Sequence, residues 1–492
     1  MTKRNVASEE QYILMPLRGV RATRASESLL SSLTSAGERA IAKKGALCLK
    51  VLDSIHDDGP KLVQMTRASL LAFKAEYAGL RVVPLRYYHP MVMGKIALSQ
   101  SLRTSTFKTS RGLAVSVVSG TSGRPIPGCT VIAFTDFANR VGAQATTNKH
   151  GIASLKLPGS VQKLDALYVD PAMDYWSVFR RNVKVSVAAL TLTLKLKPVL
   201  GYVDALAHFR GPADGSDGRG INVGVVDTGV ASHPDLVIAG GRNTVVGESA
   251  AEYGDNGLGH GTHVAGIIAA RGVPPAGVRG LAPGVALHSY RVFGRDQEGA
   301  SNYSIAKAID AAVADGCHLI NMSLGGGPSD DLTREAIADA RSRGSVVLAA
   351  NGNDARQPVS WPARDSRALA VSAFGRVGTF PSDSPQKLEV ARPYGVDRKN
   401  FVAAFSNIGP ETDLTGPGVG IISTVPGGHA AWNGTSMATP AVCGRVAVLW
   451  SRDAKLMGMP ADAERSAAVM ARVLASGIPM GFGADFEGNG RL

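Results

Sequence analysis

Apolar runs of strand length alternate with helical stretches from about residue 201 onward, and this alternation constrains the fold more than any other sequence feature. Such an alternation builds a mostly parallel sheet covered by helices, and ligands bind at the loops that follow the carboxyl ends of its strands. The sequence therefore predicts an α/β fold for this part of the chain. The predicted strands are Asn222–Val226, Val285–Val292, Leu319–Met322 and Val346–Ala349, and the predicted helices are Ser304–Ala314 and Leu332–Arg343.

Three short stretches in this α/β part carry the side chains that nucleophilic catalysis requires. The stretch V-G-V-V-D-T-G places Asp227 at the end of a buried strand, H-G-T-H-V-A-G places His260 at the start of an apolar helix, and G-T-S-M-A-T-P places Ser436 at a tight turn. A serine hydroxyl that attacks a carbonyl needs a base to take its proton, and the base needs a carboxylate to fix its tautomer. Together, the three stretches predict a serine hydrolase.

Each stretch alone has other interpretations. A D-T-G loop also occurs in aspartic proteases, but these pair two such loops and this chain has one. His260 and His263 resemble a metal pair, but the glutamate of an H-E-x-x-H site is absent. A lipase or esterase would need G-x-S-x-G and the chain order Ser–Asp–His, whereas Ser436 lies in N-G-T-S-M. A binding scaffold that has kept the fold without the activity is the alternative from another class, and the presence of all three residues argues against it.

In all three stretches, residues 201–492 resemble the subtilisin-like serine proteases, or subtilases. The resemblance implies a three-layer α/β fold and an endopeptidase that cleaves peptide bonds through an acyl-enzyme. It assigns Ser436 as the nucleophile, His260 as the general base and acid, and Asp227 as the carboxylate that orients the imidazole. In the same motif, His263 is expected to be a helix-packing residue.

The resemblance also assigns an oxyanion hole. The stretch A-A-N-G-N at residues 349–353 follows an apolar strand, as the corresponding loop does in the family. Asn353 is thereby the expected side-chain donor, with the backbone N–H of Ser436 as the second donor. Asn351 departs from the family, which usually has a small residue at that position.

Two segments are similar to the edges of the family's substrate cleft. The stretch S-L-G-G at residues 323–326 resembles one wall of the primary pocket, and residues 299–301 resemble the opposite edge, so a peptide would lie between them as an added strand. We expect a broad apolar or aromatic preference. The substrate-binding residues that the resemblance implies are Ser323, Leu324, Gly325, Gly299, Ala300, Ser301 and Gly352.

We expect neither a metal nor another cofactor. Members of the family often bind calcium in a loop that interrupts the helix after the catalytic histidine, using side-chain oxygens. In this chain the loop is R-G-V-P-P-A-G at residues 271–277, which offers no side-chain carboxylate or amide.

The first 200 residues divide into two predicted modules. Residues 1–92 contain elements in the order β-α-β-β-α-β, which is that of a ferredoxin-like fold, and they are similar to subtilase propeptides, which act as chaperones and inhibitors. After a linker at residues 93–107, short strands at residues 108–198 predict a β-sandwich. We expect the chain to be made as an autoinhibited precursor that cleaves itself. Because the proline makes His89–Pro90 a poor scissile bond, we place the cut downstream, within Pro90–Phe107.

The net charge of +13 is unevenly distributed. Residues 1–200 carry 28 lysines and arginines against 12 acidic residues, whereas residues 201–492 carry 25 against 28. No zinc-finger spacing and no dense basic run is present, so no nucleic-acid partner is expected, and no run of 18 apolar residues predicts a membrane span. The resemblance to subtilases implies a peptide or protein substrate and the chain's own propeptide as partners. The first residues do not resemble a secretory signal, and the four cysteines lie far apart. These two features predict a cytoplasmic protein with buried thiols, with export by a non-classical route as the alternative.

Overall fold

The computed structural model describes residues 9–16, 49–77, 79–92, 102, 110–185, 191–211 and 214–492. The predicted helix Ser26–Ile41 and Cys48 lie outside these residues. The other three cysteines are unpaired and buried. Among the described residues, no helix combines the length and the hydropathy that a bilayer crossing requires.

The N-terminal part forms one antiparallel sheet with a helix. Its elements are β1 (Glu9–Pro16), β2 (Leu49–Ser54), β3 (Lys61–Thr66), α1 (Arg67–Glu76) and β4 (Leu80–Pro84), and the sheet order is β2-β3-β1-β4. Thr66 caps α1 as its sequence position predicts, because its hydroxyl oxygen accepts the N–H of Ser69 at 3.2 Å. On the other face of the sheet, Ile13 and Leu62 pack against Tyr303 of the α/β part. A further strand, β5 (Tyr87–Pro90), leaves this sheet and was not predicted.

The middle part forms two facing sheets, ordered β11-β10-β7-β8 and β12-β6-β9. The apolar faces of the two sheets meet in one core that includes Val115, Val131 and Leu167. The strands are β6 (Ser110–Ser119), β7 (Thr130–Asp136), β8 (Val141–Thr146), β9 (Ile152–Pro158), β10 (Lys163–Asp170), β11 (Val178–Lys184) and β12 (Thr191–Leu196).

The C-terminal part contains a nine-stranded sheet ordered β14-β15-β13-β17-β19-β20-β22-β21, with β23 beside β20. Neighbours from β14 to β20 all pair in parallel. The strands are β13 (Asn222–Asp227), β14 (Ile238–Asn243), β15 (Ala286–Arg291), β17 (Leu319–Met322), β19 (Val346–Ala350), β20 (Ala368–Arg376), β21 (Val390–Tyr394), β22 (Asn400–Ala403) and β23 (Leu414–Pro417).

Helices cover both faces of this sheet, so the predicted three-layer α/β class is confirmed. Alternate residues of the central strands enter different cores: Leu319 belongs to one core with Ile268 and Val442, and Ile320 to the other with Ile309 and Ile337. The helices are α2 (Ala205–Arg210), α3 (His260–Ala269), α4 (Asn302–Ala314), α5 (Asp331–Ser342), α6 (Thr435–Ser451), α7 (Ala454–Met457), α8 (Ala463–Ala475) and α9 (Ala484–Glu487).

Two short pairings complete the frame of the site. Strand β5 lies between β16 (Ala300–Ser301) and β18 (Leu324–Gly325) in a small sheet of its own, and β24 (Ile421–Val425) forms a hairpin with β25 (Gly428–Trp432). The β-sandwich also reaches the α/β part. Trp176, from the loop between β10 and β11, is 1% exposed and belongs to the large core of the α/β part.

Candidate active site

The carboxyl end of β13 and the start of α3 bring an acid and an imidazole together. Asp227 ends the central strand and His260 begins the helix, and both side chains are buried. Nδ1 of His260 lies 2.7 Å from Oδ1 of Asp227, and the same oxygen accepts the N–H of Thr228 at 2.7 Å. Nε2 of His260 is buried and has no hydrogen-bond partner among the described residues. The imidazole is therefore held at one nitrogen and free at the other, as a general base must be.

Ser436 is the second residue of α6 and is fully buried. Its hydroxyl donates to the carbonyl oxygen of Ser323 at 2.8 Å, and the hydroxyl of Ser323 donates to the carbonyl oxygen of Ser436 at 3.0 Å. Among the described residues, the hydroxyl of Ser436, the predicted nucleophile, is thus not bonded to His260. Catalytic hydrogen bonds are often incomplete outside the reacting complex, so this geometry is compatible with attack after rotation of the side chain.

The hairpin β24–β25 supports the imidazole from the other side. The indole of Trp432 stacks on His263, with ring centroids 4.5 Å apart and planes at 5°, and the ring centroid of His260 lies 6.4 Å from that of Trp432. Nε2 of His263 lies 3.0 Å from the carbonyl oxygen of Ala430. The second histidine of the motif therefore packs the helix against the hairpin, as the sequence predicts.

The loop after β19 separates the roles of its two asparagines. The side-chain oxygen of Asn353 accepts the N–H and the hydroxyl of Thr435, each at 3.0 Å, while its Nδ2 is buried without a partner among the described residues. Nδ2 of Asn351 instead donates to the hydroxyl of Thr412 at 2.9 Å. Only Asn353 keeps a donor available beside α6.

Strand β5 occupies the cleft that the sequence assigns to the substrate. Tyr88 pairs with Ala300 and Tyr87 with Ser301 on one side, and Pro90 pairs with Leu324 on the other. All pairings are antiparallel, so the segment is an added strand between the two predicted edges. Gly325 pairs with His89, and Gly299 lies beside Tyr87, since a Cβ there would come 3.5 Å from its ring.

The residue after β5, Met91, contacts the backbone at Ser436. The N–H of Met91 donates to the carbonyl oxygen of Ser323 at 3.0 Å, and the N–H of Ser436 donates to the carbonyl oxygen of Met91 at 2.9 Å. Gly434, with a φ of +149°, allows this approach, because a Cβ there would lie 2.4 Å from the same oxygen. The carbonyl that follows β5 therefore lies where a scissile carbonyl would be attacked.

The side chain of Met91 lies against Gly325, in the segment that is predicted to form one wall of the primary pocket. A Cβ on Gly325 would come 3.0 Å from Cε of Met91 and 2.8 Å from the carbonyl oxygen of Trp361, so only glycine leaves room for this side chain. The seventh predicted substrate-binding residue, Gly352, is not bonded to β5. Its N–H donates to the hydroxyl of Thr435 at 3.2 Å, and it shapes the loop rather than pairing with the strand.

The loop at residues 271–277 surrounds a carboxylate that sequence reasoning did not consider. Oδ2 of Asp235 accepts the N–H of Val278 at 2.8 Å and lies 2.9 Å from Nε2 of His429. A Cβ on Gly272 would come 2.4 Å from the same carboxyl group. Calcium takes six to eight oxygen ligands, so a single carboxylate with a backbone donor and an imidazole does not fit it.

His233 lies close enough to this pair to suggest a transition-metal site, with ligand atoms of the three residues within 4.8 Å of one another. However, Nδ1 of His233 accepts the N–H of Asp235 at 3.0 Å, and Nε2 lies 3.0 Å from the carbonyl oxygen of Gly428. Both ring nitrogens are engaged by the main chain, so a metal would have to break a backbone hydrogen bond to use this side chain.

Comparison with known proteins places the chain in a family. The sequence model of the subtilase family matches residues 218–478. An alkaline protease from Alkalihalobacillus alcalophilus is 38% identical over 300 residues, which are 61% of this chain and 69% of the relative. Subtilisin BL from Lederbergia lenta is 42% identical over 245 residues, 49% of this chain and 79% of the relative. Subtilisin NAT from Bacillus subtilis subsp. natto is 34% identical over 352 residues, 65% of this chain and 85% of the relative.

The chain therefore belongs to the subtilase family and is a subtilisin-like serine protease that acts on peptide or protein substrates. The predicted cytoplasmic location is wrong, because its relatives are secreted extracellular alkaline subtilisins, which points to an exported protein. The buried thiols do not indicate a reducing compartment, since burial shields Cys129, Cys317 and Cys443 from oxidants in any compartment.

Proposed function

We propose that this protease cleaves peptide bonds with Ser436, His260 and Asp227 as its catalytic triad. The observation that carries the proposal is the carbonyl of Met91, which accepts the N–H of Ser436 at 2.9 Å while Nε2 of His260 has no partner among the residues that the structure describes. A peptide carbonyl, a hydroxyl and a free base nitrogen thus meet at one point. The hydrogen bond to Asp227 fixes the imidazole tautomer and stabilises the imidazolium that forms.

The reaction begins when the hydroxyl of Ser436 turns from Ser323 toward His260. Its oxygen attacks the carbonyl carbon while Nε2 of His260 takes the proton. The resulting oxyanion accepts the N–H of Ser436 and Nδ2 of Asn353. The imidazolium then gives its proton to the leaving amine, the C–N bond breaks and an acyl-enzyme remains. Water activated by the same imidazole hydrolyses the ester and restores the serine.

The substrate would bind as β5 does. Backbone pairing with Ala300, Ser301, Leu324 and Gly325 supplies sequence-independent affinity, and the pockets between these edges supply selectivity. Because all four contacts hold the peptide on the side before the scissile bond, they position it equally in the ground state and the transition state.

We further propose that the chain is made as an autoinhibited precursor whose scissile bond is Met91–Val92. Two contacts support this bond: the Met91 carbonyl lies at the N–H of Ser436, and the Met91 side chain lies in the primary pocket. It falls within the predicted interval Pro90–Phe107. On this proposal, the predicted module 1–92 consists of the propeptide, which ends at Met91, and of Val92, the first residue after the cut. Residues 93–107 are a linker, 108–198 a β-sandwich that stays attached, and 201–492 the catalytic domain.

Ion pairs and apolar packing would hold the propeptide in place after cleavage. Arg81 lies 3.3 Å from Asp331 and also bonds Glu335, and Lys307 lies 2.5 Å from Asp53. These pairs are partly exposed, so salt should loosen the attachment by screening them.

Intact mass measurement with serine labelling tests the proposal. The wild-type chain should yield a fragment that begins at Val92 and should react with a fluorophosphonate at Ser436. Ser436→Ala should stay full length and unlabelled. Ser451→Ala, a serine further along the same helix α6, should behave like the wild type.

The outcomes separate the proposals. A labelled wild type that stays full length under conditions where it hydrolyses added peptides would refute the precursor and leave the triad standing. A folded wild type that is neither labelled nor active would favour a binding scaffold with the protease fold.

A further inference from the structure

The side chain of Tyr88 occupies a closed pocket beside the cleft. Tyr88 is the fourth residue before the proposed scissile bond, and it is 1% exposed, whereas its neighbour Tyr87 is 55% exposed. Apolar residues surround the ring, and Trp361 and Leu324 belong to the same core. The end of the pocket is polar: the phenol hydroxyl donates to Oδ2 of Asp330.

Asp330 is held in this pocket by the fold rather than by the ligand. It caps α5, because its Oδ1 accepts the N–H of Thr333 at 2.8 Å. The same oxygen accepts Nδ2 of Asn302 at 3.2 Å, and Oδ2 accepts Nε1 of Trp361 at 3.3 Å. Its side chain is therefore already oriented when a peptide enters the cleft.

The carboxylate has one strong acceptor position left for a ligand. The four donors that the described residues give Asp330 are a backbone N–H, an amide, an indole and the phenol, and all are neutral. Without the phenol, Oδ2 would keep only the long bond to Trp361 in a pocket that the ligand's ring closes to water. A site built to bond a hydroxyl in this way discriminates strongly against a ligand that lacks it.

The phenol is suited to this role. Burial, with the nearby charge of Asp330, raises the pKa of Tyr88 well above its usual value, so its hydroxyl stays protonated and remains a donor.

We infer that Asp330 is a specificity-determining residue that selects tyrosine as the fourth residue before the scissile bond. The inference rests on the proposed function, since it takes Met91–Val92 as the bond in the active site. The inference makes the predicted apolar or aromatic substrate preference more specific. The primary pocket takes an apolar side chain, while the pocket of Asp330 selects an aromatic ring that carries a hydroxyl.

Two peptides test the inference on the self-processed wild-type protein. They share the sequence of residues 87–94 and differ only in tyrosine or phenylalanine at the position of Tyr88. The tyrosine forms a hydrogen bond to the charged carboxylate of Asp330, and the phenylalanine leaves that carboxylate without it. We therefore expect kcat/KM to be about 10- to 100-fold higher for the tyrosine peptide. Rates are divided by the fraction of Ser436 that a fluorophosphonate labels.

A variant assigns the preference to the carboxylate. Asp330→Ser keeps a hydroxyl that caps the helix but removes the oxygen that faces the phenol, so the ratio of the two rates should fall to about threefold or less. In the full chain, Tyr88→Phe should slow self-processing, whereas Tyr12→Phe in β1, whose hydroxyl bonds the exposed Glu10, should leave it unchanged.

The comparison of peptides in the wild type does not depend on the folding of any variant. Equal rates for the two peptides, or a tyrosine preference that survives in Asp330→Ser, would overturn the inference while the proposed protease activity stands. Failure to cleave either peptide, with no label on Ser436, would overturn the proposed function and the inference with it.

Discussion

Replacing Asn353 by alanine tests the oxyanion hole most directly. Nδ2 of Asn353 is buried and has no partner in the described part of the chain, and the adjacent Ser436 N–H already bonds the Met91 carbonyl oxygen. In a subtilisin, a relative of this chain, loss of such a side-chain donor costs about 2.7–4 kcal/mol, which is about 10²–10³ in kcat. We carry that measured range over to Asn353→Ala.

The loss should fall on kcat and leave KM nearly unchanged. The contacts that hold β5 in the cleft run to Ala300, Leu324 and the carbonyl of Ser323, and none of them involves Asn353. An interaction made only in the transition state lowers kcat and kcat/KM equally. The assay is steady-state hydrolysis of a peptide that spans residues 87–94, with the concentration of active enzyme counted by serine labelling.

Two further variants separate the donor from its neighbours. Asn353→Asp keeps the oxygen that accepts from Thr435 but removes the donor, so its kcat should be at least as low as that of Asn353→Ala. Asn351→Ala removes the bond to Thr412, and we expect lower stability with kcat per folded enzyme within a few-fold of the wild type. A full kcat in Asn353→Ala, or a loss that appears equally as a raised KM, would refute the assignment.

Three other perturbations concern stability and docking. Burial raises the pKa of Glu389 to about 7, so the folded state holds this proton above the pH at which the unfolded chain releases it, and stability falls as pH rises from about 4.5 to about 7. In the Ser436→Ala background, Glu389→Gln should therefore raise the free energy of unfolding by about 1–3 kcal/mol at pH 8 and by almost nothing at pH 4, as measured with denaturant. An equal gain at both pH values would contradict the charge argument. At low salt, Arg81→Met should release the cleaved propeptide about 5- to 30-fold faster than the wild type, and its release rate should depend less on salt, as followed by native mass spectrometry. An unchanged salt dependence would show that the ion pairs of Arg81 do not hold the interface. In thermal unfolding, Trp176→Ala should destabilise the protein by about 3–5 kcal/mol, whereas Arg180→Ala, whose ion pair is exposed, should change stability by less than about 1 kcal/mol. Similar losses in the two variants would show that the sandwich is held by charge rather than by core packing.

The α/β part could be predicted well because its signals are local. Its central strands are continuous apolar runs, and the strand Leu319–Met322 has the bounds that the sequence predicts. Parallel strands carry functional side chains on the loops at their carboxyl ends, so a polar residue directly after such a run is informative. This is why Asp227 and His260, separated by 33 positions, could be expected to meet, as they do at 2.7 Å.

Elements whose stability comes from distant parts of the chain could not be predicted. Strand β5 is four residues long and pairs with segments more than 200 positions away, so its sequence alone contains no strand signal. Strands β8 and β11 of the sandwich pair with adjacent strands, but their sequences contain no apolar run of strand length, because one contains small residues and the other carries Arg180 and Arg181 in its middle. A local pattern reports burial on one face, and these strands have few buried side chains, so their place in a sheet depends on backbone pairing that the pattern does not contain.

The same reasoning explains why Asp330 and Asp235 were missed. Asp330 follows a glycine-rich turn and reads from sequence as a helix cap, which it also is. Asp235 lies far in sequence from the loop at residues 271–277 that it fills. Neither residue lies in a sequence motif. Asp330 gains its contact with Tyr88, and Asp235 its contact with His429, only through tertiary packing.

The contacts of β5 connect specificity with inhibition. Cleavage of Met91–Val92 would break one covalent bond but none of the hydrogen bonds that pair β5 with β16 and β18, and the phenol of Tyr88 would remain on Asp330. The new carboxylate of Met91 would also keep an oxygen at the N–H of Ser436. On the proposed cleavage, the product would therefore be bound by the groups that select a substrate, and the sheet formed by β1 to β4 would add contacts that a short peptide lacks. Release then requires that the N-terminal sheet detach or unfold first, because only the loss of those additional contacts reduces the affinity of the cleaved segment to that of an ordinary product.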